Sequence, residues 1–401
     1  MAPLLRERAS QFPVVTVTGP RQSGKTTLCR QAFPDLPYAN LERPDTRAFA
    51  QEDPRSFLES FSAGGVIDEI QRVPALLSWI QVLVDERRPK APLVLTGSHQ
   101  IDLLKGVSQS LAGRTALLQL LPLSVNEMRD AGLRLGTDEL ILRGGYPRIH
   151  AEGLDPSVLL GDYFATYAER DLRQLMEVRR LDDFRRFVQL AAGRVGQVLN
   201  LHSLAADAGV SDRTARDWLS VLEASHLVWL LPPWHENIGK RLTKSHKLYF
   251  CDVGLAAWLI GIAQVGQLPA HPLRGALFEN LVVMEFVKHA LHRGERPDLH
   301  FFRDSNGLEV DLVVGNGLPP GQWGLVEIKS GQTLQPGWLK PMERVAQAMG
   351  PQRIGRRMLV YGGPEHQIRQ GVEVVGFSAD AKGHLTSGSG SEGPPASPPS
   401  W

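Results

Sequence analysis

Between Gly19 and Thr26 the chain reads GPRQSGKT, and these residue types at this spacing can hold phosphate. Gly19, Gly24, Lys25 and Thr26 fit GxxxxGK[ST], entered from the β-branched run Val14 to Thr18 and left into a helical pattern opening at Thr27. Glycines let successive backbone N–H groups turn inward around phosphate oxygens, and the following helix N-terminus adds partial positive charge. In such a loop Lys25 would reach the β- and γ-phosphates, and the Thr26 hydroxyl would ligate Mg²⁺. Arg21, Gln22, Ser23 and Thr27 complete the expected contacts to a bound nucleotide, with Arg21 equally readable as an ordinary surface arginine.

A phosphate loop needs a partner acid, and GGVIDEIQ offers one. An apolar strand ending in Asp68 and Glu69 has the Walker B arrangement: Asp68 for the Mg²⁺ shell, Glu69 to orient or deprotonate the attacking water. Asp-Glu also opens many helices for electrostatic reasons, but downstream of an intact phosphate loop the first reading is preferred. In APLVLTGSHQ, Thr96 and Ser98 end a strand at the level where a γ-phosphate would be sensed. Arg114, in SLAGRTALLQ, is a candidate arginine finger, or else a surface arginine at a strand start.

A second constellation lies near the other end, in LEVDLVVGNGLPPGQWGLVEIKS. Two apolar runs around a Gly/Pro-rich turn predict a β-hairpin. Asp311 sits among valines and leucine, while Glu327 and Lys329 flank Ile328 and so share one face. Three ionisable groups on a buried sheet are expensive unless compensated, by a metal ion or by solvent at a sheet edge. Upstream, RGALFENLVVMEFVKHAL is an amphipathic helix bearing Glu279 and Glu285. Helical acid, strand Asp, then Glu-x-Lys resembles the PD-(D/E)xK nuclease core. By that resemblance Glu279 is the helical acid, Asp311 the central metal ligand, Glu327 the second ligand and Lys329 the catalytic lysine. Carboxylates are hard oxygen ligands suited to Mg²⁺, which would activate a water against phosphate. Glu-x-Lys alone is a weak signal. An active nuclease and a nuclease-like fold kept for docking both remain open.

The elements between these sites predict a helix-turn-helix. After a helical stretch from Gly161 to Leu190, Ser203 is expected to cap a short helix that ends at Gly209. Ser211 is expected to cap a second helix running from Asp212 to His226. That second helix would present Arg213 and Arg216 to DNA, beside Asp212 and Asp217, a mixed footprint for phosphate. VWLLPPW and HKLYFCD read as strands of a wing, and Lys240, Arg241, Lys244 and Lys247 form a basic stripe along it. A winged helix equally serves for packing and oligomerisation.

Taken together, GPRQSGKTT, the DEIQ after VI, LTGS, LAGR, PLSVNEM, RGGYP, ERDLRQL and KSHKLYFCDVGL resemble a prokaryotic family of AAA-type ATPases with a C-terminal domain of unknown function. The resemblance covers nearly the whole chain except its tail. It implies an α/β fold: a P-loop AAA-type ATPase domain (1–130), a helical winged-helix region (131–265), a restriction-endonuclease-like α/β domain (266–380) and a loose tail (381–401). ATP and Mg²⁺ are the implied cofactors. The implied function is Mg²⁺-dependent ATP binding and hydrolysis coupled to nucleic-acid binding or processing, DNA being the expected partner and a homo-oligomer an expected state. The alternative is an ATP-binding switch whose C-terminal domain is inactive and docks a protein. Members of the family usually carry a helix ahead of the P-loop; only 18 residues precede Gly19, so a shortened N-terminus is expected.

Bulk composition sets the frame. With 401 residues, 42% hydrophobic and 22% charged, the chain is ordinary for two or three globular domains. A formal charge of +1 excludes a global polyelectrolyte attraction to nucleic acid, leaving only local patches. Two cysteines and no secretory leader pattern point to a reducing cytoplasm. No apolar run approaches the roughly 18 residues of a membrane span.

Overall fold

The computed structural model describes residues 1–87, 91–97, 110–175, 181–235 and 245–377. A parallel sheet forms from β1 (Val14–Thr18), β2 (Tyr38–Asn40), β3 (Gly65–Asp68), β4 (Leu93–Gly97) and β5 (Thr115–Gln119), in the spatial order β2-β3-β4-β1-β5. β1 is buried along its whole length, because helices cover both faces of a parallel sheet and an unbroken apolar run satisfies both. It pairs with β4 and β5, so the loop after it leaves mid-sheet, beside the ends of β4 and β3. One face is closed by Phe57, Ile67, Ile70 and Leu95, the other by Leu5, Val17, Cys29 and Leu118. Leu5 comes from helix Ala2–Gln11, so a helix ahead of the P-loop is present within these first residues.

The helical stretch read over 161–190 is divided between helices Pro156–Leu175 and Leu181–Ala192. The next two helices are Leu201–Ala208 and Asp212–Ala224, joined through Gly209. Asn200, rather than Ser203, caps the first: its side-chain oxygen accepts the Ser203 N–H at 3.0 Å, putting Ser203 inside the first turn. Ser211 caps the second as expected, accepting the Thr214 N–H at 3.1 Å. Trp218 seals the pair, its ring edge-on to Phe184 and Phe187 with centroids 5.2 and 5.4 Å away. β6 (Val228–Leu231) and β7 (Lys247–Phe250) then form an antiparallel hairpin.

The motifs RGGYP and KSHKLYFCDVGL are neighbours in space. Asp252 caps helix Val253–Leu259 through the Leu255 N–H at 2.9 Å and accepts the Gly145 N–H at 2.6 Å. A Cβ at Gly144, where φ is +62°, would lie 2.2 Å from an Asp252 oxygen, so the approach requires glycine.

The last region is a six-stranded mixed sheet, β8 (Leu299–Arg303), β9 (Glu309–Val314), β10 (Trp323–Lys329), β11 (Ile354–Tyr361), β12 (Gln367–Arg369) and β13 (Val372–Gly376), ordered β12-β13-β11-β10-β9-β8. The expected hairpin is β9 and β10. β11 is interior, paired on either side with β10 and β13, and short, largely polar β12 forms the edge. Helices Arg274–His292 and Lys340–Met349 pack on this sheet. One hydrophobic core runs from Phe187 and Phe250 through Phe278 and Leu281 to Val326, so the helical region and the sheet are packed as one body of side chains. The main chain adds to it: Trp234 donates to the Phe301 carbonyl at 2.7 Å, and Phe301 to that of Pro232 at 3.0 Å.

Candidate nucleotide site and carboxylate cluster

The loop 19–24 is shaped by close backbone approach. A Cβ on Gly19 would lie 2.0 Å from the Leu120 carbonyl oxygen, so no larger residue fits between β1 and the strand beside it. Gly24 then caps helix Lys25–Ala32. Lys25 is buried, and its ammonium donates to the loop's own carbonyls, Gly19 at 3.0 Å and Pro20 at 2.7 Å. Burial pushes its pKa down to about 8 against the pull of Glu69 and Asp68. Ser23 Oγ, also in the loop, is buried with no hydrogen-bond partner. An ammonium turned into the loop and an orphaned hydroxyl donor are what an anionic ligand would satisfy.

Thr26 and Asp68 meet, the Thr26 hydroxyl donating to Asp68 Oδ2 at 2.8 Å. Asp68 is held further by the Thr96 hydroxyl on its other oxygen and by Tyr38, whose hydroxyl donates to Oδ2 at 2.8 Å. Glu69 sits at φ +59°, a left-handed conformation uncommon for a residue with a side chain, and its N–H donates to Thr96 Oγ1 at 3.2 Å. The Gln71 amide donates to the Glu69 carboxylate. A hydroxyl and a carboxylate side by side at the loop's end fit a Mg²⁺ shell in donor chemistry.

A cavity of about 420 Å³ opens over the loop. Arg21, Gln22, Gly24, Lys25, Thr26 and Thr27 form one wall, with Glu42 and Glu69 beside them. The far wall comes from the helical region: Pro147, Arg148, Tyr163 and Thr166. Arg148 lies at the surface, paired with Glu152 at 2.8 and 2.9 Å. Arg114 is not among the lining residues. Its guanidinium grips Asp85 at 2.7 and 2.9 Å. Ser98 lies outside the described residues.

Sequence reasoning missed Tyr38, Glu42 and the whole far wall. Tyr38 carries no motif, and of the far wall only Pro147 falls in a quoted motif, at the end of RGGYP.

At the other end, Glu279, Asp311, Glu327 and Lys329 do come together. Lys329 Nζ lies 2.6 Å from Glu327 and 3.5 Å from Asp311, and Asp311 Oδ2 accepts the Ile328 N–H at 2.8 Å. The bridge to Glu279 is a residue assigned above to the basic stripe. Lys247 is buried at the start of β7, 3.0 Å from Glu279, 2.6 Å from Glu309 and 3.9 Å from Asp311. Burial works against its charge, but Glu279, Asp311 and Glu309 together hold its pKa above the ordinary lysine range. Burial and the nearby Asp311 push Glu279 up to about 7 and Glu327 up to about 8. One oxygen of Glu327 is buried without a hydrogen-bond partner. Glu285, the other helical acid, is used structurally, accepting the Val125 N–H at 2.9 Å.

Of the expected DNA contacts, Arg213 and Arg216 are exposed on helix Asp212–Ala224. Lys240, Arg241 and Lys244 lie outside the described residues.

The parallel sheet, the loop and the paired Thr26 and Asp68 define an AAA-type P-loop ATPase domain. The family model described as AAA domain matches residues 11–129, and two domains of unknown function follow, DUF8612 over 135–265 and DUF4143 over 274–379. Uncharacterized protein Rv2008c of Mycobacterium tuberculosis and uncharacterized protein Mb2031c of Mycobacterium bovis are each 36% identical to the chain over 389 residues, 96% of this chain and 84% of theirs. The chain belongs to their family, an AAA-type ATPase domain joined to a C-terminal DUF4143 region. Among solved structures, the Walker-type ATPase PABY2304 of Pyrococcus abyssi is 14% identical, covering 64% of this chain and 94% of its own, with a TM-score of 0.40. No helix among the described residues is long and apolar enough to cross a membrane.

Proposed function

We propose that the chain binds and hydrolyses ATP in the cavity over the loop 19–27, and that this cycle is coupled to nucleic acid through the helix-turn-helix segment. The observation that carries the first part is the convergence of Lys25, Ser23, Thr26 and Asp68 on one loop mouth. Lys25 would exchange two loop carbonyls for β- and γ-phosphate oxygens, which restore the charge partner that burial denies it. Thr26 and Asp68 would hold Mg²⁺, which when bound supplies charge neutralisation to the phosphates. Glu69, whose N–H donates to Thr96 and whose carboxylate accepts the Gln71 amide, would orient water and take its proton. Because Pro147, Arg148 and Thr166 face the same cavity, a nucleotide there would touch the helical region as well as the ATPase core.

The nucleic-acid part rests on exposed Arg213 and Arg216 along one helix, with the sequence stripe Lys240, Arg241 and Lys244 beyond the hairpin strand. Asp212 is partly occupied by His202, 3.0 Å away, which lessens its repulsion of phosphate when the histidine is charged. Salt-dependent DNA binding, measured with and without ATP, tests this part. The expected result is weaker binding and a shallower salt slope for Arg213→Ala/Arg216→Ala and for Lys240→Ala/Arg241→Ala/Lys244→Ala. Binding that neither variant changes would favour the alternative, an ATP-driven switch whose C-terminal region docks a protein.

A further inference from the structure

The metal implied by the nuclease-like order of Glu279, Asp311, Glu327 and Lys329 does not fit the cluster as it is built. Lys247 stands where the helical acid and the strand aspartate converge, its side chain 2% exposed. Its one ammonium faces three carboxylates from two elements: Glu279 of helix Arg274–His292, and Glu309 and Asp311 of β9. Glu279 and Glu309 lie within hydrogen-bond reach of Nζ, and Asp311 adds a longer charge contact at 3.9 Å. The other oxygen of Asp311 accepts the Ile328 N–H at 2.8 Å and lies 3.5 Å from Lys329. Mg²⁺ demands near-octahedral oxygens at about 2.0–2.1 Å, and it would have to share this centre with a fixed positive charge. Among the described residues no group of three His, Cys, Asp or Glu side chains is arranged to hold a metal ion.

We propose that Lys247 is the resident cation of this cluster, replacing a divalent ion and latching the β6–β7 hairpin onto the C-terminal sheet. The strand that carries it is set for this. Tyr249 lies two residues further along β7, on the same face, and its hydroxyl donates to the same Glu279 oxygen at 2.6 Å. Asn280 completes the seam, accepting the Phe250 N–H at 2.7 Å and donating to the Phe250 carbonyl at 2.9 Å. Helix and strand are thus fastened around the ammonium by side chains that a metal site would need free. The inference stands independently of the nucleotide reading, which concerns the other end of the chain.

Mn²⁺ titration of the full chain without nucleotide, followed by electron paramagnetic resonance, tests it. Wild type and Asp311→Asn should bind Mn²⁺ alike, because the cluster contributes no site; the loop at Thr26 and Asp68 is common to both. Lys247→Met should gain one Mn²⁺ that Asp311→Asn in the same chain removes. A wild-type Mn²⁺ site abolished by Asp311→Asn would overturn the proposal, as would a folded Lys247→Met protein that gains none. Should Lys247→Met fail to fold by circular dichroism, the wild-type against Asp311→Asn comparison decides alone.

Discussion

Lys25 holds a charge in a place that burial makes expensive, and its two hydrogen-bond partners are carbonyls of the loop it closes. Phosphate is a stronger partner for that ammonium than a peptide oxygen, because the acceptor is charged. Lys25→Ala should therefore lower affinity for a fluorescent ATP analogue by roughly 100-fold or more, with the fold intact by circular dichroism. Tyr38→Phe removes one of the hydrogen bonds holding Asp68 and should slow turnover while leaving nucleotide affinity within a few-fold. Equal turnover in that variant would show Thr26 and Thr96 to suffice. At this scale the loop was legible in sequence because its glycines, lysine and threonine act through local backbone geometry. Tyr38 was not, since its role depends on β2 lying beside β3, which no local pattern states. Lys247 was misread for the same reason: a lysine in a run of lysines looks solvated until the carboxylates facing it are known.

The elements that join the regions carry their own tests. Lys247 is a buried charge whose removal leaves Glu279 without its counter-ion and Glu309 with only Arg303 at 3.4 Å, so Lys247→Met should destabilise by about 3–5 kcal/mol in urea unfolding. Adding Glu279→Gln to Lys247→Met should recover part of that loss, because one of the orphaned charges goes with it. His226, just after helix Asp212–Ala224, is buried against the ATPase sheet, its Nδ1 2.8 Å from the Gln119 amide. Burial, aided by the charge of Lys25, lowers its pKa to about 3. The unfolded chain therefore binds a proton below about pH 6.5 that the folded chain refuses until about pH 3. This contribution is complete above pH 6.5 and is lost as the pH falls, with a slope of at most about 1.4 kcal/mol per unit. His226→Asn should flatten the acid limb of a stability-against-pH curve; an unchanged limb would place the acid sensitivity elsewhere. The hairpin β9–β10 and the two capped helices were readable from turn residues and periodicity. That the helical region and the C-terminal sheet share one core was not, because apolar residues on a helix do not say which element will cover them.

Over the whole molecule, the nucleotide cavity is a joint between the ATPase core and the helical region, and the helical region is packed into the C-terminal sheet. ATP binding should therefore slow amide exchange in helix Pro147–Ala151 as well as in the loop 19–27. Protection confined to the loop would separate nucleotide binding from the rest of the chain. The most direct test of the account compares Mg²⁺-dependent ATP turnover in wild type and Glu69→Gln, with nucleotide affinity measured on both. With Glu69 proposed as the base for the attacking water, Glu69→Gln should keep ATP affinity and lose turnover by roughly 100-fold or more. Turnover equal to wild type in that variant would contradict the assignment of this cavity as the catalytic site.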